Sequence, residues 1–164
     1  MTTDTLLTEM TLPDLADRYS IPYTTLATAA LRGAVVARKA GKRAWLVRPI
    51  EIVAALLRGD MDARTLPGIR VWRTYNDEYA VADRDDDGPC RIVWIDESGQ
   101  ADTADAIDGY VVGDRLFWPG DADGEPGRHL TEDGQPDPDA PWGDIETAQP
   151  AISGIPGAPL AVLL

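Results

Sequence analysis

Thr11-Leu12-Pro13-Asp14-Leu15-Ala16-Asp17-Arg18-Tyr19-Ser20-Ile21-Pro22-Tyr23-Thr24-Thr25-Leu26 is the stretch on which the reading of this chain turns. Thr11 offers an N-cap hydroxyl, and Pro13 and Asp14 stand in the first helical turn, where proline costs no hydrogen bond and a carboxylate meets the positive end of the helix dipole. Leu12, Leu15, Ala16 and Tyr19 recur at i, i+3, i+4 and i+7, the spacing of one helical face. Ser20-Ile21-Pro22 ends the helix, because a residue before proline is driven out of the helical region. A second helix is expected from Tyr23 to Leu31, with Leu26, Ala29 and Ala30 inward and Gly33 as its stop. Downstream, Ala34 to Lys39 and Arg43 to Val47 read as strands joined by Ala40-Gly41-Lys42, a hairpin with Lys39, Lys42 and Arg43 at its tip. Pro49 opens a third helix with Val53, Leu56 and Leu57 on its core face, Arg58 at its negative end and Gly59 after it. Upstream, Met1 to Met10 reads as a short lead-in.

Helix, turn, helix, hairpin, helix is the order of a small winged helix-turn-helix. The quoted run resembles the opening of excisionase-type domains and the related MerR-like DNA-binding domains. Arg32-Gly33, Val36-Ala37-Arg38-Lys39-Ala40-Gly41-Lys42-Arg43 and Trp45-Leu46-Val47 are similar to that family's helix end, wing and closing strand. The resemblance covers about residues 10 to 58, roughly a third of the chain. It implies double-stranded DNA as partner, with the second helix in the major groove, a channel about 12 Å wide. Tyr23, Thr24, Ala27 and Thr28 would face the groove, the wing would place Lys39, Lys42 and Arg43 against phosphates or the minor groove, and Arg32 and Arg38 complete the candidate DNA-binding set. Related domains carry arginine or another long polar residue where Ala27 and Thr28 stand. Alanine and threonine can touch a thymine methyl but cannot make the paired contact to guanine that arginine makes. Either base readout is weak and the wing dominates, or the fold is kept without strong specificity. Kinship to excisionases implies recombination directionality and kinship to MerR-like domains transcriptional control; the sequence does not separate them.

A net charge of −13 at first opposes a DNA partner, since affinity rests on neutralising phosphates. The charge is divided unevenly. Residues 1 to 65 hold nine basic and seven acidic side chains, net +2, and residues 66 to 164 hold six and twenty-one, net −15. Arg18 to Pro49 carries seven basic residues and no acidic one. Binding follows the local field, so a basic end on an acidic chain stays compatible with DNA.

From Ile69 onward the period changes to two. Strands are expected at Ile69 to Tyr75, Tyr79 to Ala82, Arg91 to Ile95, Gly109 to Val112 and Arg115 to Trp118, forming a small antiparallel meander with Trp72, Tyr75, Tyr79, Trp94, Tyr110, Phe117 and Trp118 as candidate core. Asp83, Asp85, Asp87 and Gly88 fall at positions 1, 3, 5 and 6 of a calcium loop, but position 12 is Trp94 where a bidentate glutamate is required, so a solvated hairpin tip is the better reading. Residues 119 to 150, rich in Pro, Gly and Asp, read as a flexible acidic linker holding His129 and Trp142. The apolar tail, 151 to 164, is too short for a membrane span and is expected to dock on the chain's own sheet or on a partner.

The expected fold class is therefore α+β: a winged helix-turn-helix over 10–60, a small antiparallel β domain over 68–118, the acidic linker and the tail. One cysteine and one histidine leave no basis for a disulfide, a thiolate or histidine metal site, or a general-base dyad. No nucleophile or phosphate loop accompanies the carboxylates, so neither catalysis nor a cofactor is expected. The acidic, signal-free start and the absence of a long apolar run point to a cytoplasmic protein without a membrane partner. The alternative is a protein-interaction adaptor or antitoxin-like protein whose acidic C-terminal half engages a basic partner. A homodimer would enlarge the small surface one module buries on DNA, although no heptad pattern supports one.

Overall fold

The computed structural model describes residues 5–42, 44–61, 65–73, 78–102, 106–112, 115–117 and 159–161. Arg43, Tyr75, Trp118, His129, Trp142 and the linker 119–150 lie outside them. Among the described residues the fold is α+β, with three α-helices and two antiparallel sheets. A 3-10 turn, Thr5–Leu7, leads into β1 (Met10–Thr11), α1 (Leu12–Tyr19) and α2 (Tyr23–Leu31). Then come β2 (Arg38–Ala40), β3 (Ala44–Val47) and α3 (Pro49–Arg58). The remainder is β4 (Thr65–Arg73), β5 (Tyr79–Ala82), β6 (Gly88–Ile95), β7 (Ile107–Val112), β8 (Arg115–Phe117) and β9 (Pro159–Ala161).

The first sheet has the order β1-β3-β2. Lys39 pairs with Trp45 and Arg38 with Leu46 across the hairpin, while Met10 and Thr11 pair with Val47 and Leu46 on the other side of β3. The lead-in is thus part of the fold: it supplies a strand, and Leu6 is buried. Two residues are too few to show a period of two, so β1 exists because β3 offers a free edge. Residues 34 to 37 precede the hairpin without joining it, and β2 is three residues long.

The second sheet runs β8-β7-β6-β5-β4-β9. Its first five strands form a meander in chain order, and the C-terminal segment returns to the far edge, where Ala161 and Pro159 pair with Thr65 and Arg70 of β4. Alternate residues of the sheet fall into two apolar clusters. Ile69, Val71, Val81, Val93 and Ile95 pack with the helices. Trp72, Ala80, Ala82, Ile92, Val111 and Leu116 form a second cluster, with Cys90 in it and Trp94 and Ile107 at its border. A sheet buried on both faces reads as near-continuous apolar runs, as in Arg91-Ile92-Val93-Trp94-Ile95. Of the aromatics, Trp72 is fully buried, whereas Tyr79, Trp94 and Tyr110 are half-buried.

The helices and the large sheet share one core. The cluster that contains Leu15, Leu26 and Val47 also contains Ile52, Val53, Val71 and Val93. This explains why α3 is buried at every position from Pro49 to Leu56 rather than on one stripe. A helix apolar all round is one with packing partners on more than one side. Each fully buried Leu, Ile or Val contributes roughly 1.5–3 kcal/mol, and Ile50, Ile52 and Val53 of α3 add theirs to the cluster that the two halves share. None of the described helices is long and apolar enough to cross a membrane.

Candidate nucleic-acid interface

The α1–α2 corner is built from local chemistry. Thr11 Oγ1 accepts the Asp14 amide at 3.4 Å, closing the first turn of α1. At the other end Ser20 takes the left-handed conformation, φ 54°, and its amide and that of Ile21 both donate to the Ala16 carbonyl. A non-glycine residue there costs about 1–2 kcal/mol, offset by burying Ile21 inside the corner. The three-residue turn then delivers Pro22 as the residue before α2.

α2 buries Leu26, Ala29 and Ala30 and presents the rest outward. Tyr23 is 52% exposed and Leu31 75% exposed; Thr24 and Thr28 are exposed, and Ala27 is half-exposed. Helical spacing sorts these into two adjoining rows, Tyr23–Ala27–Leu31 and Thr24–Thr28–Arg32. Leu31 was not among the residues expected to face a partner, although its position four beyond Ala27 and eight beyond Tyr23 places it on that face.

The hairpin stands beside the start of α2. A groove of about 230 Å³ is lined by Tyr23, by Thr11, Leu12 and Pro13 at the head of α1, and by Ala44 and Trp45 of β3. Lys39, opposite Trp45 in the ladder, lies with Nζ 5.1 Å from the centre of its ring. Gly41, at φ 72°, allows the tight turn that carries exposed Lys42. On the other side of α2 a hollow of about 270 Å³ is lined by Thr24, Thr25, Thr28, Ala29, Arg32 and Met61.

The cations expected to act are not equally available. Arg38 is held by Glu9 through two donors, Nη2 at 2.8 Å and Nε at 3.1 and 3.3 Å from the carboxylate oxygens. The Arg38 hydrogen bonds keep the Glu9 carboxyl below the usual carboxylate range, so this pair persists into acid. Arg32 donates from Nη2 to the Asp60 carbonyl at 2.8 Å, which fixes its guanidinium beside Met61. Lys39 and Lys42 are exposed on the hairpin, and Arg43 is outside the described residues.

No known family model, curated protein or solved structure matches this chain.

The aspartates of the β5–β6 turn have separate tasks. Asp83 Oδ1 accepts the Arg91 amide at 3.0 Å, Asp85 Oδ2 accepts the Gly68 amide at 3.1 Å, and Asp86 pairs with Arg84 at 2.7 Å. They diverge to different backbone and side-chain donors, and among the described residues no three His, Cys, Asp or Glu side chains converge on a common point.

Arg58, at the end of α3, ties the segment after α2 to the β6–β7 connection. Nη2 donates to the Ala34 carbonyl just past α2, Nη1 to the Gly99 carbonyl in the β6–β7 connection, and Nε to Asp60. Glu51 on the same helix is buried beside a cavity of about 390 Å³ that Val36, Arg58, Ser98, Gln100 and Ala101 also line.

Proposed function

We propose that residues 10–60 act as a winged helix-turn-helix, that α2 enters the major groove of double-stranded DNA, and that the β2–β3 hairpin lies on the adjoining backbone or minor groove. The chain is then an accessory or regulatory DNA-binding protein, in keeping with its resemblance to excisionase and MerR-like domains. One observation carries the reading: Tyr23, at the start of the exposed face of α2, and Trp45 of the basic hairpin line one groove, with Lys39 over the Trp45 ring. A groove-reading helix and a cationic arm must share one surface to engage one duplex. The acidic remainder lowers non-specific affinity by repelling phosphate.

Fluorescence anisotropy of a labelled duplex with the full chain tests this over a salt series. A site touching ~5 phosphates loses roughly 10²- to 10³-fold in affinity between 50 and 200 mM salt. The Lys39→Glu/Lys42→Glu variant is expected to bind more weakly and with a salt slope shallower by about 2. A flat salt profile for the unaltered chain refutes the proposal.

The second reading, an adaptor or antitoxin-like protein, draws on the exposed acidic tips Asp85-Asp86-Asp87 and Asp96-Glu97. It expects biological activity to survive that same charge reversal.

A further inference from the structure

The exposed face of α2 lacks every side chain that reads guanine or adenine by a pair of hydrogen bonds. Between Arg18 and Arg32 the sequence has no charged residue, and α2 has no Asn or Gln. Arg32, at the end of the face, is engaged by the Asp60 carbonyl. The outward groups are instead short and methyl-bearing or apolar: Thr24, Ala27, Thr28 and Leu31, with Tyr23 at the leading end. Tyr23 and Leu31 are exposed at the two ends of one helical row with half-exposed Ala27 between them, and an exposed apolar row beside a cationic arm is a surface suited to contact. The hollow beside Thr24 and Thr28 is lined by three threonines, Ala29, Met61 and Arg32, so threonine methyls stand on its wall among polar groups.

In the major groove the one apolar feature of a base pair is the 5-methyl group of thymine. We infer that α2 selects DNA through thymine 5-methyl groups, so that A/T-rich duplex is the substrate class, the threonine methyls, Ala27 and Leu31 supplying the contact. This rests on the proposal that α2 enters the major groove. The phosphates are engaged by the hairpin, which is blind to base identity, and the two contributions are separable.

The test uses the full chain and four short duplexes of alternating sequence: A/T, A/U, G/C and G/5-methyl-C. Uracil removes the thymine methyl without changing base pairing, and 5-methylcytosine puts the same methyl at the same groove position of a G·C pair. Burying one methyl is worth about a 4-fold change in affinity. A/U is expected to bind several-fold more weakly than A/T, and G/5-methyl-C several-fold more tightly than G/C, with the salt slope unchanged in all four. The Thr24→Ser/Thr28→Ser variant keeps both hydroxyls and loses both methyls; it is expected to retain the salt slope and to lose much of the A/T over A/U preference. Salt-sensitive binding with equal affinity for A/T and A/U and no gain from 5-methylcytosine overturns the methyl inference while leaving DNA binding in place. No salt-sensitive binding to any of the four overturns the DNA reading itself, and the inference with it.

Discussion

Arg58→Ala is expected to loosen the junction between the helices and the large sheet. The guanidinium makes three hydrogen bonds, at 2.7 Å to the Gly99 carbonyl, 3.1 Å to the Ala34 carbonyl and 2.9 Å to Asp60 Oδ2. The two carbonyl contacts are partly buried, and an acceptor left unfilled there costs about 1–3 kcal/mol. The pair with half-exposed Asp60 adds about 0–1 kcal/mol. Water from the adjoining cavity can reach part of the space, so the net loss is placed at about 2–4 kcal/mol. For a chain of this length that corresponds to a fall in Tm of roughly 5–15 °C. Urea unfolding gives the number directly, as a shift in midpoint at constant slope. Arg58→Lys, with one compact ammonium for three divergent acceptors, should lose about half as much. Arg58→Met keeps the aliphatic stem against Gly99 and should recover little. A loss below about 0.5 kcal/mol in Arg58→Ala, or full recovery by methionine, would show that the hydrogen bonds do not hold the junction.

Three further outcomes follow from the charges and the thiol. Glu9→Gln releases Arg38 and should raise affinity for duplex DNA several-fold, with a salt slope steeper by about 1; unchanged binding would mean that Arg38 is not near phosphate. Burial holds the Glu51 carboxyl above its usual range, with Arg58 and Arg48 opposing, so the folded state favours its protonated form. Its contribution to stability is therefore present below the ordinary value of 4.5 and lost as pH rises through the raised folded value. Glu51→Gln should accordingly gain on the unaltered chain as pH rises and converge with it in acid, which chemical denaturation across pH would reveal or contradict. Burial pushes the Cys90 thiol up to about 12, so maleimide labelling should be slow in the native state and follow unfolding in urea; rapid native labelling would place Cys90 at the surface.

The helical third was legible because its signals are local. Thr11, Pro13, Pro22, Gly33, Pro49 and Gly59 act through the backbone of their own neighbourhood, and the bounds of α2 and the starts of α1 and α3 follow from them. The candidate surface was partly legible for the same reason: 3.6-residue spacing sends Tyr23, Thr24, Ala27 and Thr28 outward whatever they meet. Spacing does not say which cations are already engaged. Arg38 and Glu9 are 29 positions apart, and only β1 and β2 flanking the same strand brings them together. Arg32 is similarly committed to Asp60, 28 positions on.

The sequence by itself determined the three helices, the hairpin, the meander and the division of charge between the two ends, because caps, turns and periodicity are written within a few residues. Tertiary structure alone decided the rest. It made a strand of Met10–Thr11, buried α3 on all sides, brought Pro159–Ala161 to the edge of β4 and joined both halves through one apolar cluster. These depend on surfaces supplied by distant segments, and a strand edge or an apolar face carries no mark of which segment will cover it.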